Sequence, residues 1–329
     1  MFAALARIAA YGILSDSICM VKDNKPSDSE WHFTERLRRL AAPVSTQNLV
    51  LGIGDDCAIY RPRGSADDLL FTTDMLIQDT HFRRETHRPA DVGWKALARG
   101  LSDIASMGGR PQFCLVSLAL AQWTDDRWVD GFYCGLLDLA AKTATVLAGG
   151  DLSHTDRVMC DIVVCGAAPR GKALRRAGAR AGNAIYVSGR LGGSALGLAT
   201  AGGKAWRKHL RPEPRLALGE YARAQLHATA AMDLSDGLSL DLHRLCLASK
   251  LSAHIETPPI FPGATLQHAL HGGEDYELLF TVPARQPVPS EFEGVPLTRI
   301  GTMRKGPAGA VTLNCEPLPP LGYDHFRFL

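Results

Sequence analysis

Six short segments place carboxylates at the ends of apolar, strand-like runs, next to Gly, Ser or Thr. They are GIGDDCAI (Asp55, Asp56), FTTDML (Asp74), LSDIASMG (Asp103), AGGDLS (Asp151), MDLSDG (Asp233, Asp236) and HGGEDYE (Glu274, Asp275). Aspartate is depleted in strands and favours turns and caps. A carboxylate carried into a core must be paired or must bind a cation. Each segment alone has a plain reading. Asp55 or Asp56 could be a turn residue. Asp103 could pair with Arg99 one helical turn earlier, in the less favourable orientation. Asp151 and Asp236 could be helix N-caps. Asp74 interrupts a β-pattern and is the hardest to explain in this way. The segments together weigh more than any one of them, since, if the fold brings them together, five such segments would seldom converge by accident.

Around these segments the chain alternates strand and helix patterns. LVLGIGDDCAIYR, LLFTTDMLIQ, FCLVSLALA and VMCDIVVCGAAP read as strands. ADVGWKALARGLSDIASM reads as a helix, with Leu97, Leu101, Ile104 and Ala105 on one apolar face and Gly108, Gly109 and Pro111 as its stop. DRWVDGFYCGLLDLAAKTA reads as a second helix. From Arg170 to Arg215 there are eleven Lys or Arg and one acid, Glu213, so a domain boundary is placed near Pro169. Beyond it, AIYVSG, YELLFTVP and VPLTRIGTM read as strands and PRLALGEYARAQLHAT as a helix. AAMDLSDG reads as a strand running into the helix LSLDLHRLCLA. With 329 residues and a prior of about 150 per domain, two mixed α/β domains are expected. The expected division is an extension over residues 1–30, an N-terminal domain over 31–168 and a C-terminal domain over 169–329. The extension is read as disordered or as a mis-assigned start, with Met20 as a candidate initiator. Its apolar run is too short and too broken by Arg7 to span a bilayer, so no membrane partner is expected.

A formal net charge of +2 gives no basic excess for general nucleic-acid binding. The eight cysteines contain no C-x-x-C pair, which disfavours structural zinc and suits a reduced, cytoplasmic protein. Carboxylates without His or Cys partners are hard oxygen ligands, suited to Mg²⁺ or Ca²⁺. EF-hand spacing is absent, so Mg²⁺ is favoured, and Mg²⁺ usually binds through a few carboxylates plus substrate phosphates. The chain has neither a G-x-x-x-x-G-K-[ST] loop nor the protein-kinase signature set. A phosphoryl-transfer enzyme built this way needs an acidic, metal-bridged nucleotide site. Arg175 and Arg176 follow GKAL; they read either as a solvated face or as phosphate neutralisers.

GIGDDCAI, TTDMLIQDTHF, GWKALARGLSDIASMGGRP, LAGGDLS, MDLSDGLSLDL, GGEDYELLFTVP and GYDHF occur in one order from about residue 33 to 326. In this set the chain resembles the thiamine-monophosphate kinase family, within the superfamily that includes aminoimidazole ribonucleotide synthetase. The resemblance implies two α/β domains of the aminoimidazole ribonucleotide synthetase-like type and a homodimer whose N-terminal-domain strands form a shared barrel. It implies ATP as co-substrate, several Mg²⁺ ions and the conversion of thiamine monophosphate to thiamine diphosphate. Carried over by position, it implies Asp56, Thr72, Thr73, Asp74, Asp103, Asp151, Asp233 and Asp236 as metal ligands. It implies Gly150, Asp151, Arg176, Ser235 and, on a looser motif, Tyr133 at the nucleotide. His81, Glu274 and Tyr323 are implied at thiamine monophosphate. No dedicated acid or base is implied, because the acceptor phosphate is already ionised.

Departures lie beside these positions. Leu152, Ser153 and His154 follow GGD, where the family often has Thr and then Arg. Thr80 stands before the HF-bearing His81, after Gln78 and Asp79. His81 could also be a satisfied strand-end histidine, Glu274 a helix cap and Tyr323 a packing aromatic. Rival readings of the whole are another ATP-using enzyme of the superfamily, a non-catalytic nucleotide- or metal-binding regulator, and a structural Ca²⁺-binding protein.

Overall fold

The computed structural model of the chain describes residues 30–42 and 46–326. The expectations about the extension up to residue 29, Met20 included, lie outside the described residues. Helix α1 (Glu30–Ala41) associates with the chain's tail. Its Glu30 N–H donates to Asp324 Oδ1 at 3.1 Å, and the Phe33 and Phe326 rings lie 4.8 Å apart.

Between residues 47 and 323 the chain forms two sheets. The first has six strands: β1 (Leu49–Leu51), β2 (Ala58–Tyr60), β3 (Asp67–Ile77), β4 (Arg110–Leu120), β5 (Val146–His154) and β6 (Met159–Pro169). Their order is β1-β2-β3-β6-β4-β5, and every pair is antiparallel except β4–β5. LVLGIGDDCAIYR is not one strand, as its pattern suggested. It folds back as the hairpin β1–β2, with Leu51 opposite Ile59 and Gly54 at φ 127° in the bend. Asp55 and Asp56 therefore sit in a loop rather than in a ladder. Strand β5 was not legible, since adjacent Gly149 and Gly150 weaken any strand pattern. Gly150 is required there: a Cβ on it would lie 1.8 Å from the carbonyl oxygen of Val116 in β4.

Two helices cover one face of this sheet, α2 (Pro89–Ser106) and α3 (Asp126–Lys142). They cross closely because both carry glycine at the contact. A Cβ on Gly93 would come within 1.9 Å of Phe132 O, and one on Gly135 within 1.8 Å of Ala90 O. Helix α2 also touches β3, β6, helix α6 (Leu216–Ala224) and strand β8 (Ala230–Asp233), and almost all of its residues are buried. Such a helix has no solvent face, so its polar side chains need partners within the protein.

The second sheet adds β7 (Ala184–Ser188), β9 (Ser252–Ile255), β10 (Leu278–Val282), β11 (Glu291–Phe292), β12 (Val295–Arg304), β13 (Val311–Leu313) and β14 (Glu316–Pro317). The order is β14-β13-β9-β12-β7-β10-β8, with β11 beside β12. Helix α7 (Leu238–Ser249) packs on β8, β9 and β13, and α4 (Gly193–Thr200) and α5 (Gly203–Leu210) pack on each other. A short α8 (Leu266–His271) is closed by a Thr265 capping box. Helix α6 is shorter than its sequence pattern. It starts after Pro214, and the chain turns at His227, which has φ 51°. Strand β8 ends at Asp233, so Ser235 and Asp236 lie in the turn that leads into α7.

Candidate functional site

Six of the predicted residues, Asp56, Thr72, Asp74, Asp103, Asp233 and Glu274, meet along one helix. Lys95, Arg99, Ser102 and Ser106 are spaced three or four apart, with Asp103 beside Ser102, so they form one polar face of α2. Each has a partner on another element. Lys95 Nζ donates to Glu274 Oε2 (2.8 Å), and Arg99 donates to Asp74 Oδ1 (2.8 Å) and to the Met75 carbonyl (3.1 Å). Ser102 Oγ donates to Asp233 Oδ2 (2.7 Å), and Ser106 Oγ to Asp56 Oδ2 (2.7 Å). Asp103 Oδ2 accepts from Thr72 Oγ1 (2.5 Å). Arg99 thus pairs with Asp74, not with Asp103. Its position between two carboxylates, one from a strand and one from its own helix, could not be ranked by spacing.

Asp56, Asp103 and Asp233 converge, each offering a carboxylate oxygen within 4.8 Å of the others. Burial, and then the neighbouring carboxylates, push Asp103 well above the usual carboxylate range. Burial and Asp56 push Asp233 up to about 7, and burial and Asp56 do the same to Asp55. Burial also raises Asp74, with the Arg99 guanidinium opposing it. Crowded, desolvated carboxylates of this kind form a hard-oxygen donor set that a divalent cation would stabilise. The residues therefore fit Mg²⁺.

The site already contains three arginines bound to its carboxylates. Arg99 is on Asp74, Arg176 clasps Asp56 through Nε (2.9 Å) and a terminal nitrogen, and Arg244 holds Asp236. The Arg176 backbone N–H also donates to Asp55 at 3.2 Å. Asp236 is not an N-cap: that position in α7 is Gly237, and Asp241 accepts from the Asp236 and Gly237 N–H groups at 3.1 and 3.0 Å.

Thr73 and Asp151 stand apart from the trio. Side chains alternate across β3, so Thr72 and Asp74 face α2 while Thr73 faces outward, where its hydroxyl donates to Asp161 (2.7 Å). Asp151 is no N-cap either, since it lies within exposed β5. The strand register sets Met75, Asp161, Ser117 and Asp151 in one row across that outer face. Asp161 was missed because it sits in an apolar strand with no turn residue beside it. Gly150 lies in the adjacent row, in register with Val116, Ile162 and Asp74.

The second group is built around Glu274. It takes φ 62°, unusual for a residue with a side chain, and its N–H donates to Ser235 O at 2.7 Å. It follows the C-terminal Gly272 of α8, so it caps no helix start. Burial alone would raise its carboxyl, but Lys95 outweighs burial and holds it at about 2. His209 Nδ1 lies 3.4 Å from the same Oε2. The Tyr323 N–H donates to Asp236 O (2.9 Å), which brings the exposed Tyr323 ring to the Asp236 turn. His81 is locked in the turn after β3, its Nδ1 accepting from the Ile77 N–H (3.0 Å). Tyr133 is half-buried on α3, edge-on to Phe132 at 5.3 Å.

Lys95, Ser102, Ser106, Asp161, His209 and Arg244 were not singled out in the sequence, and Arg99 was named only as a possible partner of Asp103. For four of them a signal existed. Residues 95, 99, 102 and 106 share the helical face of Asp103, and polar residues at that spacing in an otherwise apolar helix imply buried partners.

Two family models match the chain: AIR synthase related protein, N-terminal domain, over residues 54–168, and AIR synthase related protein, C-terminal domain, over residues 180–314. Thiamine-monophosphate kinase of Rhodopirellula baltica is 36% identical over 302 residues, covering 84% of this chain and 92% of that one. The enzyme of the same name from Escherichia coli strain K12 is 37% identical over 310 residues, covering 86% and 94%. Among solved structures, AaThiL complexed with AMPPCP and TMP matches with TM-score 0.80 at 29% identity, covering 91% of this chain and 97% of that one. Hydrogenase maturation protein HypE in complex with ATP matches with TM-score 0.63 at 18% identity, a likeness of fold alone that covers 84% and 91%.

Proposed function

The chain belongs to the AIR synthase related family and, within it, to the thiamine-monophosphate kinases; from that membership we propose that it phosphorylates thiamine monophosphate with ATP, giving thiamine diphosphate and ADP. The observation that carries this reading is the single face of α2, which joins a carboxylate trio to Glu274. A phosphate oxygen of the acceptor attacks the γ-phosphorus in line, the bond to the β,γ-bridging oxygen breaks, and ADP leaves. The attacking oxygen is already ionised, so no side chain need remove a proton from it. The task is to bring two anions together and hold them in line.

Asp56, Asp103 and Asp233 would hold Mg²⁺, with Thr72, Asp74 and Asp236 beside them. Thr73 and Asp151 would serve from the outer face of the sheet. A cation held there would supply positive charge to offset the repulsion between the two reacting anions. Arg176 is the nucleotide's phosphate partner and exchanges its present hold on Asp56 for that role. Gly150 gives the nucleotide close access to the backbone, and Ser235 and Tyr133 complete its contacts. His81, Glu274 and Tyr323 bind the thiamine moiety. Residues 31–168 form the ATP- and Mg²⁺-binding domain, residues 169–329 supply phosphate and acceptor contacts, and the enzyme works in the cytoplasm.

The outer face of the first sheet is where a second copy would pack to form the homodimer. Met75, Leu115 and Val146 are apolar and 50%, 37% and 61% exposed, and β5 is an open edge beside them. Among the described residues no helix is long and apolar enough to cross a membrane.

The test is a product assay with ATP, Mg²⁺ and thiamine monophosphate, run beside free thiamine. Magnesium-dependent thiamine diphosphate from the monophosphate alone is the expected result. ATP binding without product from either acceptor would turn the reading towards a regulator.

A further inference from the structure

Lys95 is 1% exposed, and its ammonium lies 2.8 Å from Glu274 Oε2. His209, 2% exposed, places Nδ1 3.4 Å from that oxygen and 2.9 Å from Ser194 Oγ. Burial and the nearby Lys95 push His209 down to about 3, so its ring carries no charge near neutral pH. Lys95 is therefore the charge that balances Glu274, and the two form a neutral pair. The rest of Glu274 is fixed as well, by the N–H bond to Ser235 O and by a positive φ. Oε2 is committed to Lys95. Oε1 has no hydrogen bond within the protein among the described residues, and the side chain is 26% exposed.

Thiamine monophosphate has two distinct rings. The thiazolium is a cation, and the aminopyrimidine is neutral with N–H donors. A carboxylate balanced by an ammonium at this distance offers little net attraction to a second cation, because the ammonium repels that cation over nearly the same path. The carboxylate keeps its acceptor capacity on the other oxygen.

We propose that Lys95 is a positioning residue that pins Oε2 of Glu274, so that Oε1 accepts a hydrogen bond from an N–H donor on the acceptor's neutral ring and does not act as counter-ion to its cationic ring. This rests on the placement of Glu274 in the acceptor site given above.

The experiment compares the wild type with Lys95→Met, Glu274→Gln and the double variant Lys95→Met/Glu274→Gln. It reads KM for each substrate, and it reads equilibrium binding of thiamine monophosphate by calorimetry with a non-hydrolysable ATP analogue present. Lys95→Met weakens thiamine monophosphate by about tenfold, the loss of one well-placed charged hydrogen bond, and leaves the KM for ATP unchanged. The double variant leaves no charge unpaired and keeps an amide oxygen as acceptor. It binds thiamine monophosphate more tightly than Glu274→Gln, in which Lys95 is a buried charge without a partner, but more weakly than the wild type, because nothing then pins the acceptor oxygen. An acceptor analogue with a carbonyl in place of the ring amine loses about tenfold on the wild type. Should Lys95→Met fail to fold, the double variant and the analogue still decide. Normal binding by Lys95→Met, or a double variant as weak as Glu274→Gln, overturns the proposal. A wild type that makes no thiamine diphosphate overturns the kinase reading instead.

Discussion

Ser102 Oγ donates to Asp233 Oδ2 at 2.7 Å, and this bond ties helix α2, on the first sheet, to the end of strand β8 in the second. Both residues are buried, at 0% and 3% exposure. Ser102→Ala removes the donor and leaves the carboxylate short of a partner, which costs on the order of 1–3 kcal/mol. Urea unfolding should show that loss, with a higher Mg²⁺ concentration needed for half-maximal activity. Unchanged values for both would mean that the bond neither braces the sheets nor shapes the site.

Asp74→Asn and Asp103→Asn should each lower kcat/KM by about 10²-fold or more while the far-ultraviolet circular dichroism and the melting temperature stay close to wild type. Burial already disfavours charge on both carboxylates, so neutral replacements leave the fold intact. Full activity of Asp74→Asn at saturating Mg²⁺ would remove it from the metal-binding set.

Glu277 gives the chain an acid-sensitive brace. It is 1% exposed and accepts from Lys208 Nζ (2.7 Å), Arg215 (2.7 and 2.8 Å) and Ser188 Oγ (2.6 Å). Burial would raise its carboxyl, but the two cations outweigh burial and hold it at about 2 against an ordinary 4.5. A depressed carboxyl stabilises the fold fully above the unfolded value and loses that contribution as pH falls through the folded one. Unfolding free energies measured from pH 6 to pH 2.5 should therefore drop by roughly 3 kcal/mol more in wild type than in Glu277→Gln. Parallel curves would disprove it.

Leu115 and Met75 are exposed on the outer face of the first sheet. If the proposed dimer forms through this face, Leu115→Asp together with Met75→Asp should shift the protein from dimer to monomer in sedimentation, since buried charge without a partner is costly. A wild-type protein that sediments as a monomer at micromolar concentration would place the dimer interface out of reach of this argument.

Much of this site was legible because turn chemistry and helical periodicity are local. The apolar face of α2 and the turn after β8 followed from residues within a few positions of each other, and the same periodicity carries the polar face of α2 that was not read. What was not legible depends on pairing at long range. That Thr72 and Thr73 diverge follows from the pleat, but which side meets α2 follows only from the packed sheet. The Lys95–Glu274 contact joins residues 179 positions apart, and Asp56 shares its trio with Asp233 through a loop that the sequence pattern took for a strand. Strand β5 was hidden by a glycine pair, one member of which, Gly150, lets it approach β4.

One helix carrying both the Lys95 contact and Asp103 acts as a ruler. Eight residues of α-helix span roughly 12 Å, an interval held by backbone hydrogen bonds and not adjustable by side-chain motion. On the proposed placement of Glu274 at the ring and Asp103 at the phosphates, an acceptor too long or too short between the two could not engage both marks at once. The chain would then measure its substrate by length, and redesign towards a longer phosphomonoester would have to begin by adding or removing turns of α2.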